Sequence, residues 1–198
     1  KTTLFNLISG DVKPDVGKIL FAERDISALP PHRRCRIGIG RSYQIPHPFS
    51  GMTVFENLLV AATFGGEKKE QDAYPICVEV LRQTGLAKKA NLLARSVTLL
   101  DRKRLELARS LATNPTLLLL DEIAGGLTED EDKEVVEEIK AIKASGVSII
   151  WIEHVVHALL AVADRLLVIN FGAKLAEGLP QEVMENSEVK RVYMGIEV

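Results

Sequence analysis

Four consecutive leucines, Leu117–Leu120, run directly into Asp121-Glu122 and constrain this chain more than any other segment. They follow Asn114-Pro115, a breaker pair. An uninterrupted apolar run of strand length suits a central parallel strand covered on both faces, because an exposed face would alternate with polar residues. Such a sheet needs helices above and below it. Ligand sites in open parallel sheets lie at the carboxyl ends of the strands. Asp121 and Glu122 would therefore emerge at the functional edge. An acid there can hold magnesium, and a second acid can orient and deprotonate water. A strand that merely ends in a solvated acidic turn fits Asp-Glu alone equally well.

The flanking sequence agrees with an α/β chain. Thr2 to Ser9 reads as a helix closed by Gly10, Val16 to Phe21 as a short strand, and Pro31 to Arg36 as a short basic helix. Ile37 to Tyr43 is extended and leads into Gln44, after which Pro46 and Pro48 impose a loop. Thr53 to Ala62 has helical spacing with a Thr53/Glu56 capping box. Gly65 to Asp72 reads as a polar, mobile connection, and Tyr74 to Thr84 as an amphipathic helix. Residues of roughly 45–96 thus form a helical insert. Asp101 to Thr113 is a patterned helix, and Thr128 with Glu131 caps the next, which Gly146 closes. Val147 to Ile152 is expected as a second buried strand, Val155 to Asp164 as a helix, and Leu166 to Ile169 as a third strand. Strand, helix, strand, helix, strand implies a parallel sheet with crossovers. Phe171-Gly172 turns the chain, and the tail from Pro180 to Gly195 reads as two short helices.

Further residues bear on chemistry. Lys1-Thr2-Thr3 fits the end of G-x-x-x-x-G-K-[ST], in which the lysine reaches the β- and γ-phosphates and the threonine hydroxyl ligates magnesium. The helix that begins there adds its N-terminal dipole. Three residues are a common chance match, and the helix start and the downstream acid pair give them weight. His154 follows the Val147–Ile152 segment closely, in parallel with Asp121-Glu122, where an imidazole can donate to a γ-phosphate or to the attacking water. Gln44 ends an extended segment and can touch magnesium or water; a polar loop residue is its plain alternative.

Composition bounds the remainder. The chain has 198 residues, 46% hydrophobic and 26% charged, enough for one domain with a core. A net charge of -2 gives no basic field for nucleic acid. Cys35 and Cys77 are too far apart for a CxxC framework and read as free thiols. No apolar run approaches the roughly 20 residues that span a bilayer.

In order, Lys1-Thr2-Thr3, Gln44, Arg104-Leu105-Glu106-Leu107-Ala108-Arg109, Leu117–Glu122 and His154 resemble the Walker A end, Q-loop, post-signature helix, Walker B with catalytic Glu, and switch His of ABC transporter ATPases. The resemblance covers essentially the whole chain. It implies a P-loop NTPase parallel sheet with helices on both faces plus an ABC-type helical subdomain, approximately 45–96 within a single domain of 1–198. It implies ATP and Mg2+ as ligands. Glu122, His154 and Gln44 would be catalytic; Lys1, Thr2, Thr3 and Thr98 would bind nucleotide; Thr2, Gln44 and Asp121 would hold the metal. The expected partners are a second ABC ATPase subunit, transmembrane permease subunits docked near Ile45 to Phe55, and indirectly a solute-binding protein, with no nucleic acid. The expected place is the cytoplasmic face of the membrane, peripherally bound. Tyr43 to Phe49, Ile152-Glu153-His154, Phe171 to Gly178 and Tyr193-Met194-Gly195 resemble the branched-chain amino-acid uptake type in particular; subunits for urea or lipopolysaccharide, or a non-transport ABC ATPase, are the alternatives. The chain opens inside the Walker A motif, so these residues alone are expected to bind ATP weakly and hydrolyse little.

Three positions depart from the family pattern. Ile123 stands where proline is usual and Thr128 where Asp or Asn is common. Aligned back from Arg104, the signature reads Val97-Thr98-Leu99-Leu100-Asp101, with leucine at the glycine position. A glycine there lets a helix N-terminus approach the partner's phosphate. Of a homo- or heterodimer, a heterodimer is therefore favoured, with one competent and one weakened site. Leu100→Gly should raise turnover at the partner's site in single-site assays of the assembled complex, and equal turnover at both sites before the change would contradict this.

Overall fold

The computed structural model describes residues 1–194. Its centre is the strand β4 (Leu117–Asp121), which pairs in parallel with β3 (Ile39–Arg41) on one side and β5 (Ser148–Ile152) on the other. The leucine run occupies this central place as expected. Leu118 and Leu120 face one layer and Leu119 the other, and all three are fully buried. Their opposite directions follow from the two-residue period of a strand. One layer is the larger core, built with α3 (Val54–Val60), α4 (Glu70–Gln83), α5 (Leu99–Ala112) and α6 (Glu129–Ala144). The other contains Phe5 of α1 (Thr2–Ser9) with Ile26, Ile39 and Leu119. Helices therefore cover both faces of a parallel sheet.

α1 is fastened at its C-terminal end. Gly10 takes φ +89°, and a Cβ there would lie 2.8 Å from Arg34 Nε. That space admits Arg34, from α2 (Pro31–Arg36), whose guanidinium is buried and donates to the carbonyls of Leu7, Ile8, Ser27 and Leu29. A cation on the unpaired carbonyls at a helix C-terminus complements its dipole.

The segment 45–96 contains helical turns and no named strand. Thr53 and Glu56 form the anticipated capping box over α3, which continues into a π-helical turn, Ala61–Gly65. The expected loose connection through Asp72 is shorter than anticipated. α4 starts at Glu70, with Glu70 and Asp72 in its first turn, where acids favour the helix dipole. Pro75 thus lies inside the helix. Val54, Leu58, Cys77 and Leu81 share one core with Leu105, Leu118 and Ile139, so the helical segment and the sheet face are packed together.

Other boundaries differ for definable reasons. The expected strand from Val16 is only β1 (Leu20–Phe21), paired antiparallel with β2 (Arg24–Asp25). Gly17 at φ +86° bends the preceding segment. β5 is half exposed rather than buried, with Ile150 39% exposed, because it borders the three-stranded sheet. The third strand, β6 (Leu166–Asn170), does not join that sheet. It pairs antiparallel with β7 (Ala173–Gly178). Phe171 and Gly172 both have positive φ, the geometry of a two-residue hairpin turn that reverses the chain without a crossover. α7 (Val156–Val162) precedes it, and α8 (Pro180–Glu185), α9 (Ser187–Val189) and a π-helical turn follow. The tail motif's Gly195 lies outside the described residues.

α5 begins at Leu99, earlier than expected, with Thr98 as its N-cap. Leu100 turns inward and joins the helical core, whereas Leu99 is 52% exposed. The leucine at the signature's glycine position therefore turns into the core, and the side chain that projects at the start of α5 is Leu99. Leu100→Gly should consequently lose about 3 kcal/mol or more through a core cavity and a helical glycine. Urea unfolding checks this, and an unchanged midpoint would contradict the packing described.

Candidate functional site

The carboxyl ends of β3, β4 and β5 bring three sequence-predicted residues together. Glu122 lies just beyond β4, and its carboxylate meets Gln44 Nε2, beyond β3, and His154 Nε2, beyond β5. The register explains the convergence. Arg41 pairs with Leu119, and Asp121 with Ile152, so the three strands end at one level. Gln44 donates its amide N–H to Glu122, which leaves its side-chain oxygen free of that contact.

The loop carrying Gln44 is braced from below. Arg109 of α5 donates to the carbonyl of His47, 3.0 Å away, and its guanidinium lies over the Phe49 ring. Buried Asn57 receives a hydrogen bond from Phe49 N and donates to Phe49 O and Thr53 O. Ile45, Phe49 and Met52 nonetheless keep exposed apolar surface.

Asp121 is buried, and burial raises its carboxyl above the ordinary aspartate value. Arg41 opposes this most among the nearby cations, and His154 also favours the charged form, whereas Glu122 disfavours it. Arg41 Nη2 lies 3.7 Å from Asp121. Its other terminal nitrogen contacts Asp11 at 2.9 Å and Ser9 Oγ at 2.8 Å, at the end of α1. One guanidinium therefore spans from the acid of β4 to the helix that starts at Lys1-Thr2-Thr3. Sequence reasoning missed Arg41. Its signal was a cation three residues before Gln44 in an apolar strand, where a long charged side chain needs a specific partner.

Thr98 stands apart from this cluster. Its hydroxyl accepts from Asp101 N and donates to the Asp101 carboxylate, which Lys89 also holds at 2.6 Å. Burial acts to raise the Asp101 carboxyl, but hydrogen bonds from Lys89 and Thr98 outweigh it and leave it below its ordinary value. Thr2 and Thr3 are exposed at the N-terminal turn of α1, and Lys1 Nζ lies over the Tyr193 ring. Among the described residues, no group of three or more His, Cys, Asp or Glu side chains could hold a metal.

The profile of the ABC transporter family matches residues 1–125. The chain belongs to this family. It is 36% identical to LivG of Salmonella typhimurium, a high-affinity branched-chain amino acid transport ATP-binding protein, over 98% of this chain and 82% of that protein. It is 32% identical to LptB of Haemophilus influenzae, a lipopolysaccharide export system ATP-binding protein, over 98% and 81% respectively. The ADP conformation of MJ1267, an ATP-binding cassette of an ABC transporter, superposes with a TM-score of 0.88 at 29% identity, covering 99% of this chain and 84% of that one. The chain is thus a nucleotide-binding ABC ATPase with the P-loop NTPase fold. No helix among its described residues is long and apolar enough to cross a membrane.

Removing the cation from a buried ion pair strands its partner. Arg41→Met should lower the unfolding free energy by about 3 kcal/mol, and Asp11→Asn, at the more exposed end, by about 1 kcal/mol or less. Denaturant titration of both variants measures this, and equal losses would contradict the assigned geometry.

Proposed function

We propose that this chain is the ATP-binding and ATP-hydrolysing subunit of an ABC import system for branched-chain or other small amino acids. The observation that carries the reading is the convergence of Gln44 and His154 on the Glu122 carboxylate from neighbouring strand ends. The similarity to LivG supports the solute class. The similarity to LptB favours one second reading, an ABC ATPase working on lipopolysaccharide.

In this reading Glu122 accepts a proton from the attacking water, and Gln44 and His154 fix the carboxylate on its target. His154 also donates toward the γ-phosphate. Lys1, Thr2 and Thr3 bind phosphate oxygens at the positive end of α1. The residues this reading assigns to the metal offer hard oxygens: the Asp121 carboxylate, the Thr2 hydroxyl and the amide oxygen of Gln44. They fit Mg2+, which commonly takes one or two carboxylates along with substrate phosphates. Asp121, Thr2 and Gln44 would hold it. Magnesium supplies charge neutralisation at the phosphates when bound.

The helical segment of approximately 45–96 serves as the subdomain that meets the permease. The exposed Ile45, Phe49 and Met52 support this placement. The chain then lies peripherally on the cytoplasmic face of the membrane, served indirectly by a solute-binding protein. Thr98 contributes to the nucleotide of a second ATPase subunit, and the altered signature around Leu99 favours a heterodimer.

In the assembled transporter reconstituted into vesicles, Glu122→Gln should lower ATP turnover by about 100-fold or more. It should abolish ATP-driven uptake of radiolabelled leucine and leave nucleotide binding intact. Full turnover in the variant would contradict the assigned role, and leucine-independent behaviour of the unaltered transporter would contradict the solute class.

A further inference from the structure

Glu122 has φ +48°. A residue with a Cβ is disfavoured there, and such a conformation persists only where its surroundings determine it. Two buried charged residues do so. Lys103, on the inner face of α5, donates to the carbonyl of Ile123 at 2.9 Å and to that of Glu122 at 3.3 Å. Glu153, beyond β5, accepts the Ala124 N–H at 2.7 Å through one oxygen and the His154 N–H at 2.9 Å through the other. The Glu122 N–H donates to Ile152 O at 2.9 Å. The backbone over residues 122–124 is thereby pinned on both sides, and Glu153 ties it to the backbone of His154.

Lys103 and Glu153 are each only 6% exposed. Burial pushes the Lys103 ammonium below its ordinary range, and Glu153 and Glu122 act against that shift. Buried charges of this kind rarely stabilise a fold better than well-packed apolar side chains. Their contacts here go to the backbone of Glu122, Ile123 and Ala124 on one side and of His154 on the other, the segments that carry the two side chains that must meet across the sheet edge.

We infer that Lys103 and Glu153 are positioning residues that hold the Glu122 carboxylate and the His154 imidazole in register across the β4–β5 edge. This rests on the reading of Glu122 as the water-activating group. Neither residue touches the reacting atoms; each acts through the backbone of one that does. Misplacing a reacting group by about 1 Å can lower a rate by about 100-fold.

The test uses Lys103→Met, Lys103→Arg, the double variant Lys103→Met/Glu153→Gln, and Glu122→Gln as reference, all in the assembled transporter. Lys103→Met is expected to lower kcat by about 10- to 100-fold, with KM for ATP changed by less than about threefold. The arginine variant, which keeps a donor, recovers part of kcat. The double variant, which removes both buried charges, recovers thermal stability toward the unaltered protein but not kcat. Recovery of kcat together with stability would reduce the pair to a structural role and overturn the inference. Full kcat in Lys103→Met beside an inactive Glu122→Gln would overturn it and leave Glu122 in place. Full turnover in Glu122→Gln would overturn the underlying reading and the inference together.

Discussion

Burial of β4 on both faces is the constraint on which the rest of the molecule depends. Leu118 and Leu120 fix it against the helical layer, and Leu119 fixes it against α1. Both faces take leucine, so a one-residue slip is resisted at the ends of the run, where it would carry Asp121 into the buried apolar place of Leu120 or a leucine into the place of Asp121. That register sets where the strand stops, and Asp121 and Glu122 are what follow. The same register aligns the ends of β3 and β5, so Gln44 and His154 arrive at the same carboxylate. Function at this edge is a consequence of how the leucines pack.

Polar groups around the acids complete what packing begins. Arg41 joins Asp121 to the end of α1, and Arg34 closes the carbonyls of that same helix end. α1 is therefore anchored at its C-terminal end, which leaves its N-terminal turn, with Thr2 and Thr3, directed away from the anchor. Lys103 and Glu153 perform a comparable service for the backbone after Glu122. Each of these side chains is buried, and each meets a carbonyl, an N–H or an opposite charge, as buried polar groups must.

The central strand, the two capping boxes and the convergent trio were legible in the sequence because each has a local signal. An apolar run, a Thr-x-x-Glu spacing and a strand-end polar residue are each visible within a few positions. What was not legible depends on distant partners. The turn at Phe171-Gly172 is visible in the sequence, but whether the strand before it joins the central sheet or only its neighbour β7 is not. β5 looks as apolar as β4, and its exposure reflects its place at the border of the sheet. Leu99 and Leu100 are chemically alike, and one position around a helix separates the exposed one from the buried one. Lys103 sits in the charge-rich run Asp101–Arg104, so nothing local distinguishes it from solvated neighbours, whereas Arg41 and Glu153 are lone charges at the ends of apolar segments whose partners are far away in sequence.

The central claim is that Gln44, Glu122 and His154 act as one unit on one water molecule. The most direct measurement is a mutant cycle on ATP turnover in the assembled transporter, with Gln44→Ala, Glu122→Gln and His154→Ala singly and combined. Residues that act as a unit are strongly non-additive. Adding His154→Ala or Gln44→Ala to Glu122→Gln should therefore cause little further loss. Losses that simply multiply across the three positions would contradict the account.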